Sequence, residues 1–408
     1  MRHFPFHSLL DKPISTPLDS LGVTQEGPNP TLAQKNEEEL HWLALRLLPG
    51  LGNRMALRLL NAIGSAPGIF RASASELESL GVSSNVVRSL VTGTVFEHAA
   101  REAEQARQLG ASFLTIRDAA YPALLKEIFD PPLLLYARGD LALLGAPAVG
   151  IVGTRRPTAY GRAMAERLAT DLAVRGLVIV SGLARGIDSL AHRGALQAGG
   201  KTIAVLGTGM DVAYPAENKK LFAEIAEKGL LLSEFPLGSF PAPQNFPIRN
   251  RIIAGLSLGV VVVEAAQYSG SLITARLAME QNREVFGVPG SVTNKNSWGP
   301  HILIKQGAKL VQDWQDVVEE LPAEVRRALI SSSDATPEPG KPSLFAESLS
   351  EREQAIYSLL QVDEPVHIDE ILDALPQFSS SEVLASLLEL EFKSLLRQLP
   401  GKNFVKTF

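Results

Sequence analysis

Glycine-rich turns that directly follow short apolar runs recur between Ala148 and Gly290, and they constrain the fold more than any other feature. The apolar runs end at Val152, Ser181, Leu206 and Val263. Short strands that alternate with turns and helical stretches predict a parallel sheet, and ligands of such sheets bind beyond the strand ends. The sequence therefore predicts an α/β fold. Because several of the turns carry arginine, we expect an anionic ligand there.

The composition excludes several classes of protein. The 408 residues, 45% of them hydrophobic, are enough for two or three domains. With no cysteine, the chain has no disulfide framework, zinc ribbon or thiol nucleophile. The longest apolar runs fall far short of the roughly 20 residues of a membrane span, and the first residues do not form the apolar run of a signal peptide. We therefore expect a cytoplasmic protein with no membrane contact.

Charge is distributed unevenly along the chain. The net charge is -5, but residues 148–310 contain 18 Lys and Arg against 11 Asp and Glu, a net of +7, and the remaining residues carry -12. A basic segment between acidic flanks predicts a polyanionic partner for the central domain. A solvated basic face without a partner is the alternative.

Periodicity and composition divide the chain into five segments. These are a disordered tail (1–36), a helical domain (37–110), the sheet domain (111–322), a linker (323–348) and a C-terminal domain (349–408). Within the helical domain, Leu45–Ser65 resembles a helix-hairpin-helix, whose turn presents backbone N–H groups to a phosphate. An ordinary helical packing module is equally consistent with this segment.

The C-terminal segment predicts three helices and a hairpin, which together form a winged helix. Winged helices that read DNA normally carry basic and amide side chains on the third helix. Here that helix carries Glu382, Glu389 and Glu391, and residues 349–408 contain 5 basic against 10 acidic residues. This pattern favours a protein-contact or regulatory role over DNA reading.

The turn at Gly153, Thr154 and Arg155 is the first candidate binding element. It lacks both the P-loop pattern and the Gly-x-Gly-x-x-Gly pattern, so neither ATP nor NAD is indicated. Glycine lets the backbone approach a ligand closely, while the hydroxyl and the guanidinium fork suit phosphate oxygens. The alternative is an arginine that pairs with a core carboxylate.

Further candidate cations follow along the chain. Arg249 and Arg251 flank Asn250 just before an apolar helix, which predicts two positive groups directed at one anion. One of these arginines is also the expected partner of Glu264, at the end of an apolar strand. Lys201, at the beginning of another strand, is either a phosphate ligand or an ordinary surface lysine.

A hydrolytic site is not indicated. Ser181 and Gly182 end a strand, and Asp188 and His192 follow on one helix. Ser181 has no Gly-x-Ser-x-Gly context, and the Asp and His are four residues apart on a single helix, so a Ser/His/Asp triad is disfavoured. Asp188 is expected to cap the helix, and His192 to pack or to bond to Asp188.

Together these motifs resemble those of the DNA-processing protein A (DprA/Smf) family. The residues that carry the resemblance are Gly150–Arg155, Ser181–Asp188, Gly200–Gly209, Tyr214–Pro215, Phe246–Gly255, Ser269–Thr274 and Gly307–Leu310. The resemblance implies an extended Rossmann-like core flanked by an N-terminal helical domain, of helix-hairpin-helix or SAM-like type, and a C-terminal winged helix. By motif, Arg155 and Lys201 are the principal DNA-contacting cations, and Gly153, Ser181 and Gly182 line the same pocket.

The resemblance also implies a function. It implies a non-enzymatic mediator without cofactor or metal that binds single-stranded DNA and forms a homodimer, here expected around Ile302, Ile304 and Leu310. It further implies delivery of the strand to the RecA recombinase past single-strand binding protein during natural transformation. Few aromatics accompany the motifs, with Tyr160 and Phe246 the nearest, so we expect base stacking to matter less than phosphate contact. The alternative is a nucleotide-processing enzyme like the phosphoribohydrolases, whose Pro-Gly-Gly-x-Gly-Thr segment this chain lacks.

Overall fold

The computed structural model describes residues 32–333, 350–361, 365–392 and 395–406. Most of the predicted tail (1–36) therefore lies outside the described residues, although the first helix already begins at Leu32, inside that segment. Among the described residues, no helix has the length and apolar character needed to span a membrane.

Helices build the N-terminal domain, as predicted. They are α1 (Leu32–Leu47), α2 (Asn53–Ile63), α3 (Ala66–Arg71), α4 (Ala74–Ser79), α5 (Ser84–Thr92) and α6 (Val95–Gln108). Their apolar faces bury Leu43, Leu59 and Leu77 completely, which accounts for the helical spacing of the apolar residues. The turn between α1 and α2 ends at Gly52, the N-cap residue of α2, which makes no side-chain cap bond.

A nine-stranded mixed sheet forms the centre of the molecule. Its strands are β1 (Ser112–Thr115), β2 (Leu134–Gly139), β3 (Ala148–Val152), β4 (Val178–Ser181), β5 (Thr202–Leu206), β6 (Leu230–Ser233), β7 (Gly259–Val262), β8 (Glu284–Gly287) and β9 (Lys309–Leu310). Their order is β1-β2-β6-β5-β4-β3-β7-β8-β9. Each neighbouring pair in the run β6-β5-β4-β3-β7-β8-β9 is parallel. The strands β1 and β2 extend the sheet beyond β6 in antiparallel pairing. This confirms the predicted α/β fold.

Helices cover the sheet, and β3, β4, β5, β6 and β7 are buried along their whole length. The helices of this domain are α7 (Ala123–Lys126), α8 (Ala159–Val174), α9 (Ile187–Gln197), α10 (Lys219–Lys228), α11 (Asn245–Leu256), α12 (Gly270–Glu280), α13 (Trp298–Lys305) and α14 (Trp314–Glu319). Strands buried on both faces need apolar residues at most positions, which explains the short apolar runs of the sequence.

The predicted linker (323–348) begins with a helix, α15 (Ala323–Ser333). The reason is packing: Leu329 is buried against the sheet domain, and Val325 packs against the same cluster. Arg326 also donates a hydrogen bond to the carbonyl oxygen of Glu319 at 2.8 Å. The remainder of the predicted linker lies outside the described residues.

The C-terminal domain has the predicted three helices and hairpin. These are α16 (Glu351–Leu359), α17 (Ile368–Ala374) and α18 (Ser380–Phe392), with β11 (Leu396–Leu399) paired to β12 (Asn403–Lys406). A short strand, β10 (Val366–His367), adds to β12. The domain has its own hydrophobic core, and Ser350 and Glu353 form a capping box at the start of α16.

Buried polar contacts join the helical domain to the sheet domain. Glu102 on α6 is 3% exposed and accepts hydrogen bonds from the Tyr136 hydroxyl at 2.7 Å and the Leu237 amide at 2.6 Å. Glu234, at the end of β6, accepts from the Asn53 side chain at 2.7 Å. Buried polar groups are stable only when they are paired, so these contacts fix α2 and α6 against the end of β6.

Candidate nucleic-acid interface

A cavity of about 1010 Å³ opens at the carboxyl ends of β3 and β7. These two adjacent strands are connected to opposite halves of the sheet, because the chain continues from β3 to β4 and from β7 to β8. The loops that follow β3 and β7 therefore diverge and leave a crevice, which is the usual ligand position in doubly wound sheets. The walls come from residues 152–156, the start of α11, residues 266–271 and residues 295–298.

The loop after β3 is fixed by Glu264, which follows β7. The Thr154 amide donates to the Glu264 carbonyl oxygen at 2.7 Å. The Glu264 carboxylate accepts from the Thr158 amide at 2.9 Å and from the Thr158 hydroxyl at 2.6 Å. Thr158 in turn is the N-cap of α8 and accepts from the Gly161 amide. The expectation that an arginine partners Glu264 is therefore wrong, since a hydroxyl and an amide supply its hydrogen bonds.

Arg155 is one of two exposed cations of this loop, with Arg156 beside it. Its guanidinium lies 5.5 Å from the centre of the Phe246 ring, and it is in no ion pair with the described residues. Gly153, Thr154 and Arg156 line the cavity beside it. Arg155 therefore does not pair with a core carboxylate, which was the alternative. The donors of its guanidinium face the cavity.

Arg249 forms the floor of the cavity and is 4% exposed. Its guanidinium donates to the carbonyl oxygen of Gly182 at 2.6 Å and also to that of Val205. Burial lowers its pKa to about 10, with the nearby Asp188 acting in the opposite direction. Arg249 therefore stays charged at neutral pH, ties β4 and β5 together and contributes positive potential at the cavity floor.

Arg251 does not face the cavity. It forms ion pairs with Glu234 at 2.8 Å and Asp130 at 3.4 Å. The prediction of two arginines directed at one anion is wrong because both lie in α11, where residues two positions apart point to nearly opposite sides of the helix. Asn250, between them, lines the cavity and donates to the Gly270 carbonyl oxygen at 3.4 Å.

Lys201 lies at the amino ends of the parallel strands, opposite to the cavity. It immediately precedes β5, whereas the cavity is at the carboxyl ends of the parallel strands. Its ammonium group donates to the Lys228 carbonyl oxygen at 3.1 Å. The expected convergence of Lys201 with Arg155 is therefore corrected, because a parallel sheet separates the starts of its strands from their ends.

The residues after β4 support the backbone and do not form a catalytic triad. The buried Ser181 hydroxyl donates to the Ile151 carbonyl oxygen at 2.6 Å. Asp188 accepts from the amides of Gly182 and Ala184 at 3.2 and 3.4 Å, and burial raises its pKa. Asp188 reaches the cavity wall, but Ser181 and Gly182 are not among the lining residues.

Sequence reasoning missed part of the lining. Tyr268, which is 92% exposed, and Trp298 stand at the cavity together with Phe246. Lys295 adds a cation. Tyr160, by contrast, donates its hydroxyl to the Pro289 carbonyl oxygen at 2.7 Å. The expectation that few aromatics accompany the site is wrong, because Tyr268 and Trp298 are brought in by chain segments outside the motifs we associated with binding.

The residues expected at a dimer interface lie at the far edge of the sheet. Ile302 and Ile304 are half-buried on α13, and Leu310, at the end of β9, is 39% exposed. Within the described ranges, no group of His, Cys, Asp and Glu side chains has the arrangement of a metal site.

Comparison with known proteins agrees with this architecture. The family model for DNA recombination-mediator protein A matches residues 112–322, and the model for the DprA winged helix domain matches residues 338–402. DNA processing protein DprA of Bacillus subtilis is 48% identical over 217 residues, which are 53% of this chain and 73% of the relative. Protein Smf of Synechocystis is 37% identical over 395 residues, covering 90% of this chain and 99% of the relative.

A solved structure shows the same fold. The X-ray structure of DNA processing protein A from Streptococcus pneumoniae superimposes with a TM-score of 0.63 at 41% identity, covering 70% of this chain and 98% of that chain. Both family models, the curated relatives and the solved structure agree. The chain therefore belongs to the DprA/Smf family of DNA recombination mediators.

Proposed function

We propose that the protein binds single-stranded DNA in the cavity between the loops after β3 and β7. The observation that carries this proposal is that the cavity lining combines cations with exposed aromatic rings. Arg155, Arg156 and Lys295, which form no ion pair with the described residues, line the cavity together with Tyr268 and Trp298. Single-strand binding sites combine a positive groove for the phosphates with aromatic side chains on which bases stack. A duplex offers stacking faces only at its ends, so this lining favours an unpaired strand.

The two kinds of contact have different consequences. Guanidinium and ammonium groups release counterions when they bind phosphates, which makes the affinity fall with salt. Stacking on Tyr268 or Trp298 tolerates every base, so binding should be independent of sequence. Residues 148–310 carry a net charge of +7, so the surroundings of the cavity also attract the phosphates of the strand.

We further propose that the site binds and does not catalyse. Among the described residues that line the cavity, Asp188 carries the one carboxyl group, and this group accepts hydrogen bonds from two backbone amides. General acid–base chemistry on a nucleotide needs a group that is free to reach the proton it moves. The lining therefore offers no paired acid and base for the reaction of a phosphoribohydrolase.

We also propose a role for this binding in the cell. The protein delivers the bound strand to the RecA recombinase past single-strand binding protein during natural transformation. Membership of a family of recombination mediators supports this role. In the same proposal, the protein acts in the cytoplasm as a homodimer that associates around Ile302, Ile304 and Leu310, and the acidic winged helix contacts a protein partner. RecA filament formation on strands coated with single-strand binding protein tests the delivery step.

The cavity assignment is tested with Arg155→Ala and Lys201→Ala. Both variants remove one exposed cation, but only Arg155 faces the cavity. We expect Arg155→Ala to weaken binding of oligo-dT about ten-fold and to reduce the slope of log affinity against log salt by about 0.7, the value for one phosphate contact of a single strand. Lys201→Ala should stay within about two-fold of the unchanged protein. Fluorescence anisotropy over a salt series measures both, and equal effects of the two variants would remove the cavity from the proposal.

A further inference from the structure

A second aromatic and cationic pair lies outside the cavity. Phe129, in the loop between α7 and β2, is 79% exposed, and the guanidinium of Arg54 lies 4.3 Å from the centre of its ring. Arg54 belongs to the first turn of α2 in the helical domain. It has no carboxylate within ion-pair distance in the part of the chain that the structure describes. We call Phe129 and Arg54 the outer pair.

Polar contacts connect the chain neighbours of Phe129 and Arg54, although both of these side chains are exposed. Arg251 binds Asp130, the neighbour of Phe129, at 3.4 Å. The same guanidinium binds Glu234 at 2.8 Å, and Glu234 accepts from Asn53, the neighbour of Arg54, at 2.7 Å. Arg251 thus fixes the two backbone segments that carry the pair. A cation placed over an exposed aromatic ring combines a stacking face with a positive charge, and binding sites for single-stranded nucleic acid use both.

Helix α11 lies between the outer pair and the cavity. Phe246, Arg249 and Asn250 face the cavity, whereas Arg251 faces the outer pair from the other side of the same helix. The diameter of a helix with its side chains, about 10–12 Å, is therefore the least separation of the two. Pro247 and Ile248, in the first turn of α11, are exposed.

We propose that single-stranded DNA leaving the cavity crosses the first turn of α11 and stacks a base against Phe129, with Arg54 bound to an adjacent phosphate. This inference rests on the proposed function and extends it to the helical domain. Three observations support a nucleic-acid occupant: the continuity with the cavity along α11, the unpaired charge of Arg54, and the combination of an aromatic ring with a cation, as in the cavity. A protein that docks on Phe129 is the competing occupant.

The test uses the full-length protein and oligo-dT of two lengths, about six and about twenty nucleotides, which bracket the site sizes of roughly 4–16 nucleotides of single-strand binding folds. The short strand fills the cavity alone and the long strand reaches both sites. Phe129→Ala and Arg54→Ala should weaken binding of the long strand at least five-fold, the smallest loss expected for one stacked base (about 1 kcal/mol), and leave the short strand within two-fold.

Matched variants separate the possible outcomes. Phe129→Trp keeps a stacking face and should retain the affinity for the long strand. Arg101→Ala removes another exposed arginine of the helical domain, one that forms no ion pair with the described residues, and should leave both affinities unchanged. The fluorescence of 2-aminopurine near one end of the long strand should be quenched on binding and should recover in Phe129→Ala, an effect that loss of charge does not produce.

Arg155→Ala distinguishes failure of this inference from failure of the proposed function. It should weaken both lengths. If it does so while Phe129→Ala and Arg54→Ala leave the long strand unchanged, the outer pair binds no DNA and the cavity assignment stands. If Arg155→Ala changes neither length, the proposed function itself is contradicted. If Arg101→Ala weakens the long strand as much as Arg54→Ala does, the effect is one of general charge and the outer pair is not a site.

Discussion

Three buried side chains hold the backbone at Leu183, whose φ of 55° is unusual for a non-glycine residue. Nε2 of His192 accepts a hydrogen bond from the Leu183 backbone amide at 3.3 Å. The side-chain amide of Asn218 donates to the Leu183 carbonyl oxygen at 2.9 Å. The Thr202 hydroxyl donates to Ile179 at 2.6 Å, so its oxygen accepts from Nδ1 of His192 at 2.7 Å. His192 is thereby defined as the neutral tautomer that carries its proton on Nδ1.

The neutral state of His192 makes stability depend on pH. Burial lowers its pKa from 6.5 to about 3, and Arg249 acts in the same direction. Between these values the unfolded chain binds a proton that the folded chain does not, so stability is complete above pH 6.5 and is lost as the pH falls. At pH 5 the loss should be about 2 kcal/mol.

Urea unfolding at pH 7.5 and pH 5, followed by circular dichroism, measures this dependence in the unchanged protein and in His192→Gln, whose amide does not titrate. The raised pKa of Asp188 acts in the opposite direction. Because Asp188 is present in both proteins, the difference between them reports on His192. The same pH dependence in both proteins would show that His192 does not carry the effect.

At the scale of elements, the sequence predicted the central strands β3, β4, β5 and β7 well because burial on both faces leaves mainly apolar residues in them. It failed where the direction of a side chain depends on the start of a helix. Pro247 is compatible with a first helical turn, so α11 begins at Asn245, and Arg249 and Arg251 are separated to opposite faces. Tyr268 and Trp298 were missed for another reason: they reach the cavity only through the pairing of β7 beside β3.

Gly186 controls the position of the loop that carries Arg155. Its φ is +75°, and a Cβ atom there would overlap the Thr154 carbonyl oxygen and lie 2.9 Å from Arg155 Cα. Gly186→Ala should therefore cost about 1–3 kcal/mol of stability and also weaken oligo-dT binding, because the loop must move. Gly199→Ala is the matched control, since Gly199 has a φ of +70° with no atom within 4 Å of the added Cβ.

The control should lose only about 1–2 kcal/mol of stability, the cost of a left-handed conformation, and bind normally. Thermal unfolding and anisotropy separate the two effects. Normal DNA binding by a folded Gly186→Ala protein would mean that the position of the loop does not limit binding.

At the scale of the whole molecule, the helical domain and the sheet domain share polar contacts that the sequence did not reveal. Glu102 and Glu234 are two of many acidic residues along the chain, and nothing in their positions in the sequence distinguishes them from the others. Their partners are 34 residues away for Glu102 and Tyr136, and 181 residues away for Glu234 and Asn53. Long-range pairing of this kind is set by the packed fold, which is why domain order was predictable and domain contact was not.

Loss of Glu102 should uncouple the helical domain from the sheet domain. Glu102→Ala leaves the buried Tyr136 hydroxyl and the half-buried Leu237 amide without their acceptor, which should cost at least about 2 kcal/mol. Tyr136→Phe leaves the Leu237 bond to Glu102 in place and should cost about 1 kcal/mol. Urea unfolding gives this order, and equal costs for the two variants would contradict the shared acceptor.

The same pair of variants connects stability with DNA binding. Short oligo-dT reaches only the cavity, which contains no residue of the helical domain, so its affinity should be unchanged in a folded Glu102→Ala protein. Long oligo-dT also needs Arg54, whose position depends on the docking of α2, so its affinity should fall toward that of Arg54→Ala. Tyr136→Phe should show a smaller loss for the long strand. A Glu102→Ala protein that loses affinity for both lengths equally would show that the helical domain shapes the cavity itself.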